Sequence, residues 1–388
     1  YFANTSGGAF TMNLPAGVAG NIVSVVDYTN TFDSNGLTVT PNGTDKLGGT
    51  NAAATLSTIG QSVTFVFVDS TEGWKNIQDS TSNVTGNPSL VATGGTITTC
   101  GNCKIHTFTG PGTFTVAAAS TTAPENIVSY MIVAGGGGGG SLCGGGGGGA
   151  GGFREVKGPA QSYTASPLDG FGTPANRVTV TAQAYPIVVG AGGAGGIGPS
   201  NSDPGCNGSP ASGLGITSTG GGGGGAFQNS GQTGGSGGGG GGRGSTPGSA
   251  GNTPPVSPSQ GNGGGQSTTS PVNPDRGGGG GAATGGGRDV LGGSKGAQGG
   301  DGAITSISGS AVQRSGGGGG GFDNGSGTGC QSLGGAGNPS GKGGVTDING
   351  GNGNTNTGGG GGGSGGAPGG VIGGTGGSGV VIIRYKFQ

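Results

Sequence analysis

Charge is scarce in this chain: 14 basic and 15 acidic residues are scattered over 388 positions and leave a net charge of −1. With no basic stripe to neutralise phosphates or anionic headgroups, nucleic-acid binding is not expected. Long hydrophobic runs are missing too. Stretches such as Val63 to Val68 and Val380 to Ile383 are strand-length, far short of the ~20 residues of a membrane helix, so no membrane insertion is expected. Helical periodicity is absent, which leaves essentially no α-helix. Histidine occurs once, as His106, and no catalytic triad can be assembled around it. In the alternation Lys104-Ile-His-Thr-Phe it reads as a polar-face strand residue.

The five cysteines, Cys100, Cys103, Cys143, Cys206 and Cys330, are too sparse and irregular for a disulfide framework, and mostly free thiols are expected. Cys100-Gly-Asn-Cys103 has the spacing of a redox motif but lacks the βαβ context, and no second pair completes a zinc site. It reads as a local strand connection. Asp301, Asp323 and Asp347 lie in Gly/Asn-rich turns but lack the nonapeptide repeat of a calcium β-helix. No catalytic residue, cofactor or metal is expected, and the chain is not read as an enzyme. It opens on Tyr1 with no secretory signal, so the expectation is that an upstream part has been processed away or lies outside this sequence.

What the chain has is glycine, 113 residues of it, so an ordinary apolar core cannot run through the whole length. Residues 1–79 nevertheless read as a small β-sandwich-like domain. Short apolar or alternating runs recur there at Ala9–Leu14, Ile22–Val26, Leu37–Thr40, Val63–Val68 and Trp74–Ile77, between clusters of turn residues. Residues 80–103 read as a polar linker. Lys104–Thr109 and Thr113–Ala117 then bracket Gly110-Pro111-Gly112 as a hairpin. The apolar strands Ile127–Val133 and Val380–Phe387 enclose the glycine-rich stretch, which also carries strand signals at Phe153–Lys157 and Arg177–Val189. Pairing the two enclosing strands closes residues 134–379 into one module, whereas a flexible linker needs no closure.

Within that module, runs of five or six glycines recur at 135–140, 144–149, 220–225, 237–242, 277–281, 316–321 and 358–363, with separators of varied length. Uniform runs with variable separators are what results if each run crosses a layer of fixed thickness. An α-helix is disfavoured by about 1 kcal/mol per glycine, and a sheet gains nothing from absent side chains. A polyproline-II-like helix, with three residues per turn and ~3.1 Å rise, points its amides outward in three directions. Only glycine lets such rods approach until those amides pair with one another, and a run of six would span roughly 19 Å.

The strings Tyr130-Met-Ile-Val-Ala followed by six glycines, Gly-Gly-Phe153-Arg-Glu, Tyr185-Pro-Ile-Val-Val-Gly-Ala-Gly-Gly and Val380-Val-Ile-Ile-Arg384-Tyr resemble the Gly-rich domain of bacteriophage tail fibres and virion appendages. Residues 94–388 carry this resemblance. Ala9-Phe-Thr-Met-Asn-Leu-Pro-Ala-Gly and Phe67-Val-Asp-Ser-Thr-Glu-Gly-Trp74 in turn resemble a β-domain of marine and cyanobacterial phage fibres. The family implies an all-β N-terminal domain, a β-collar (104–133, 153–157, 177–189, 380–387) and a polyglycine-II bundle with its loops in 134–379. It also implies a virion location, a homo-oligomer (a trimer in a fibre), other fibre or appendage proteins as partners, and in some adhesins recognition of a host-surface glycan or protein.

Four long separators are the candidate receptor-binding loops, since long loops on rigid scaffolds are common binding elements. Their candidate residues are Asn201, Asp203 and Asn207 in Pro199–Gly215; Thr253, Pro255, Gln260, Asn273 and Asp275 in Ser245–Arg276; Asp323 and Asn324 in Phe322–Gly341; and Asp347 with the Asn352-Gly353-Asn354 triplet in Val345–Thr357. A shaft or surface filament with solvated turns is the alternative, and a glycan depolymerase a third reading.

Overall fold

The computed structural model describes residues 1–80, 89–198, 203–267, 275–290, 296–323, 341, 344, 348–366 and 370–387. The chain is all-β: among the described residues the only helical turns are the short 3-10 segments Ala123–Asn126, Gly170–Gly172 and Pro174–Asn176. It divides into two compact units, Tyr1–Gly86 and Asn87–Gln388.

In the first unit, strands Phe2–Ala3, Ile22–Asp27, Ser62–Phe67 and Trp74–Ser80 form one sheet in that order, and Phe10–Asn13, Leu37–Thr40 and Ala54–Leu56 form a second. Alternation puts Val23, Val25, Val63, Phe65 and Phe67 on one face, where they bury against Phe32, Leu37, Val39 and Trp74. Phe67 meets Trp74 edge to face at 5.5 Å between ring centres. The buried Asp27 carboxylate accepts the amides of Thr31, Phe32 and Gly60, each at 3.1 Å, and so locks the chain reversal beside the core. The strands Phe2–Ala3 and Ala54–Leu56 carry too few alternations to be visible in the sequence.

In the second unit a five-stranded antiparallel sheet runs Phe153–Val156, Ser129–Val133, Val380–Lys386, Cys103–Phe108, Thr96–Cys100. The two enclosing strands are thus paired, with Tyr130 opposite Ile383 and Ile132 opposite Val381. Both faces of the central strands Ser129–Val133 and Val380–Lys386 are covered, which is why these two read as continuous apolar runs. Tyr130, Ile132, Val381, Ile383 and Tyr385 pack with Phe108, Phe114 and Ile187, while Met131, Val133, Val380 and Ile382 pack on the other side with Ile105, Phe153 and Ile307. Closing a loop of this length costs about 5 kcal/mol. Burying Val380, Val381, Ile382 and Ile383 contributes ~1.5–3 kcal/mol each, so the pairing wins.

Three expectations need correction here. The segment 80–103 is not all linker, because Val91–Thr93 and Thr96–Cys100 are strands and Leu90 and Ala92 enter the core. Lys104–Thr109 and Thr113–Ala117 are not a hairpin. Cys103–Phe108 belongs to the five-stranded sheet, whereas Gly112–Ala118 lies in a second sheet between Ala184–Ile187 and Val91–Thr93. The turn at 110–112 carries the chain from one layer to the other, so that Phe108 and Phe114 face a shared core. Finally, Arg177–Val189 is a strand only over Ala184–Ile187, since the Thr181 amide is donated to the Tyr185 hydroxyl and the chain turns there.

The glycine runs are ordered by their backbones. Along 135–140 the amides of Gly135 and Gly138 donate to the carbonyls of Ser209 and Cys206, those of Gly136 and Gly139 to Gly377 and Gly374, and those of Gly137 and Gly140 to Gly149 and Gly146. The carbonyls repeat the rule towards three other neighbours: Gly221 and Gly224, Gly193 and Gly196, Gly361 and Ser364. One rod therefore has six neighbours, addressed with a period of three residues, the repeat of a polyproline-II-type helix. The next rod runs past its glycine string through Ala150 to Gly152, with Gly145, Gly148 and Gly151 donating to Ser364, Gly361 and Gly358. In place of side chains the interior holds paired peptide groups, so its buried backbone is satisfied without an apolar core.

Candidate functional site

Among the described residues, the hydrogen-bond partners along the rods place chain reversals at two opposite ends. Rod 135–140 leaves the five-stranded sheet at Val133 and turns at 141–143, and rod 144–152 returns to the sheet at Phe153. The turn at 141–143 therefore marks a far end, opposite the sheets. Leu142, Cys143 and Gly144 make the reversal with positive φ (56°, 43° and 76°). It is pinned by Ser141 Oγ donating to the Asp203 carbonyl and by the Leu142 amide donating to Ser364 Oγ, both at 2.9 Å.

Two short turns flank it at the same end. Gln228 (φ 55°) donates its amide to Gly242, and Arg243 (φ 65°) follows that glycine directly, its guanidinium 5.4 Å from the centre of the Phe227 ring. Gln228, Asn229 and Arg243 are exposed. Their separators are short, so loop length, which singles out the long separators, gives no sequence signal for these residues. Beside them, Ala194–Ile197, Asp203–Cys206 and Gln232 line a shallow groove, crossed by Gln232 Nε2 donating to the Gly205 carbonyl at 3.2 Å.

The candidate loop residues do not gather in one place. Asn201, Asn273, Asn324 and Asp347 lie outside the described residues, as does Cys330. Asp203 is half-buried near the far end, and Asn207, though exposed, has its Oδ1 accepting the Gly223 amide at 2.8 Å. Thr253 and Pro255 are exposed but sit at the sheet end, where the Ser257 carbonyl accepts from Asn176 Nδ2 at 2.7 Å. Gly353 is half-buried, its amide donated to Thr375. Gln260, Asp275 and Asp323 correct the loop-tip reading outright, being buried at 1%, 2% and 4% exposure. The Gln260 side chain works inside the fold, with Oε1 accepting the Thr219 amide and Nε2 donating to the Pro254 carbonyl.

Asp275 and Asp323 face each other across a two-residue ladder, Asp275–Arg276 with Phe322–Asp323, at the entry to rod 277–281 and the exit of rod 316–321. The Cys143 sulfur joins them: one ligating atom from each of the three lies within 4.8 Å of the others. Burial, reinforced by the two carboxylates and opposed by Arg243, pushes the Cys143 thiol up to about 11. Burial likewise raises Asp275, against the pull of Arg243.

His106 is also corrected. It is fully buried between Phe114 and Tyr385, with Nδ1 donating to the Gly94 carbonyl at 2.7 Å and Nε2 facing the Tyr385 hydroxyl at 3.3 Å. Its strand is covered on both faces, so the alternation has no solvent side. Burial lowers its pKa despite the carbonyl, and the neutral ring serves packing. Cys100, Cys103, Cys143 and Cys206 are free, and Cys100-Gly-Asn-Cys103 forms a hairpin turn with Cys100 opposite Cys103.

The profile of a glycine-rich domain matches residues 107–386. The chain belongs to that glycine-rich domain family. No curated protein sequence matches the chain. The glycine-rich domain begins within strand Cys103–Phe108 and ends within Val380–Lys386, so the match takes in the paired enclosing strands and all the rods between them.

Proposed function

We propose that this protein is a structural component of a bacteriophage tail fibre or virion appendage, and that it presents the far end of its glycine-rich bundle to a host-surface glycan or protein. The observation that carries this reading is the placement of the turns. A stiff backbone-bonded bundle grows from a covered sheet, and its opposite end gathers residues supplied by reversals far apart in the chain. Turns fixed by inward hydrogen bonds leave their outward side chains free to vary without cost to the scaffold. The Phe227–Arg243 cation–π pair with Gln228 and Asn229 suits a sugar face and its hydroxyls, because an aromatic plane and planar donors are what such a ligand engages.

Under this reading the Thr253–Pro255 loop, at the sheet end, belongs to assembly with other appendage proteins, and a homotrimer is the fibre's working unit. The test is adsorption of fibre-bearing particles to host cells. Exchanging 227–230 and 243–245 for glycine- and serine-rich turns is expected to abolish adsorption while assembly persists. Unchanged adsorption in that exchange would leave only the shaft or filament role.

A further inference from the structure

We propose that Cys143, Asp275 and Asp323 form a binding site for a zinc-class divalent cation, which ties three rod ends together where backbone pairing stops. Two independent observations point to a ligand. One is the convergence of a sulfur and two carboxylate oxygens within 4.8 Å of one another from positions 48 to 180 residues apart in sequence. The other is Asp275 Oδ1, an acceptor on a side chain 2% exposed that has no hydrogen-bond partner. Arg243 acts on Asp275 through space but forms no ion pair with it among the described residues. The two carboxylates moreover stand directly opposite in the ladder, where like charges destabilise and a bound cation offsets them.

The donor set selects the metal. Calcium takes six to eight oxygens and magnesium an octahedron of them, neither of which one sulfur and two carboxylates supply. A thiolate with carboxylates suits zinc, at ~2.3 Å to sulfur and ~2.0–2.2 Å to oxygen, so tetrahedral ligand atoms sit roughly 3.5 Å apart. Small side-chain movements close the observed cluster to that spacing, and water fills the fourth position. On binding, the Cys143 S–H proton and any carboxyl proton pass to solvent as the Zn–S and Zn–O bonds form. The backbone is fixed beforehand: Cys143 lies in a positive-φ turn held by its own amide donating to Gly366, and the aspartates are registered by their ladder. The inference does not depend on host binding.

The experiment is titration of the full, chelator-stripped chain with zinc chloride, followed by calorimetry and by metal analysis after dialysis. One zinc per chain is expected. Cys143→Ser and Asp275→Asn should each weaken binding by about a hundredfold or more, while Cys100→Ser and Cys206→Ser leave it unchanged. Cobalt(II) added to the unaltered chain gives a second readout that needs no variant, a thiolate-to-metal charge-transfer band. Absence of zinc binding, undiminished binding by Cys143→Ser, loss on Cys100→Ser, or a cobalt spectrum without the thiolate band would each overturn the assignment.

Discussion

At the scale of single residues, the bundle turns the usual value of glycine around. Beyond the first residue of a rod, as at Gly144 and Gly358, glycine is used not for positive φ but for the absence of Cβ. A methyl group on Gly148 would run into the carbonyl of Gly137, and one on Gly137 into that of Gly222. Both obstacles are backbone, which cannot rotate away. Gly148→Ala is therefore expected to destabilise the second unit by about 1–3 kcal/mol or more, as overpacking does. Gly172, with open space where its Cβ would be, is the control: Gly172→Ala should be neutral or stabilise by up to ~1 kcal/mol through the unfolded chain. Denaturant unfolding of the two variants decides it, and equal effects would refute the close-approach argument. His106 yields a second prediction. Its folded pKa lies below 6.5, so the unfolded chain takes up the proton first on acidification. Stability is full above 6.5 and falls as pH drops towards the folded value. Melting temperatures of the second unit should decline over this window, and His106→Gln should remove that part of the slope even while lowering stability overall.

At the scale of elements, a rod is defined by its period. Because donors repeat every third residue, deleting one glycine rotates the rest of a rod by about a third of a turn and aims each later amide at the wrong neighbour. Deletion of Gly147 alone is expected to leave the second unit unfolded and protease-sensitive. Removing 138–140 together with 144–146 shortens both rods by one triplet and keeps the rest of each rod in phase, at the cost of the bonds that Gly196, Gly224 and Ser364 make to the deleted carbonyls, so that chain should keep far more structure. If the two deletions behave alike by limited proteolysis and circular dichroism, the period-three account fails. The rods themselves were legible because uniform glycine runs between enclosing apolar strands have few other solutions. Pairing of Ser129–Val133 with Val380–Lys386 was legible for the same reason. What the sequence hid was direction. Nothing in Gly110-Pro111-Gly112 distinguishes a hairpin from a crossing between layers, and nothing in the loop at 253–259 reveals that it turns at the sheet end. Asp275 and Asp323 looked like loop residues because burial by surrounding backbone leaves no apolar signature.

At the scale of the molecule, two kinds of order share one chain. The first unit is held by an apolar cluster around Trp74, the chain's sole tryptophan, and the second by sheet packing joined to a side-chain-free bundle. Each has its own core, so each is expected to unfold on its own account. Tryptophan fluorescence then reports the first unit alone, whereas far-ultraviolet dichroism is dominated by the larger second unit. The two signals should follow separate denaturant transitions. Phe65→Ala, which removes a buried ring from the cluster that holds Trp74, should lower the fluorescence transition by roughly 3–5 kcal/mol and leave the other in place. Gly148→Ala should do the reverse. Reciprocal behaviour establishes that the bundle draws no stability from the N-terminal core, which a scaffold ordered by its own peptide groups requires. Transitions that coincide and shift together in both variants would mean instead that one cooperative core spans the chain.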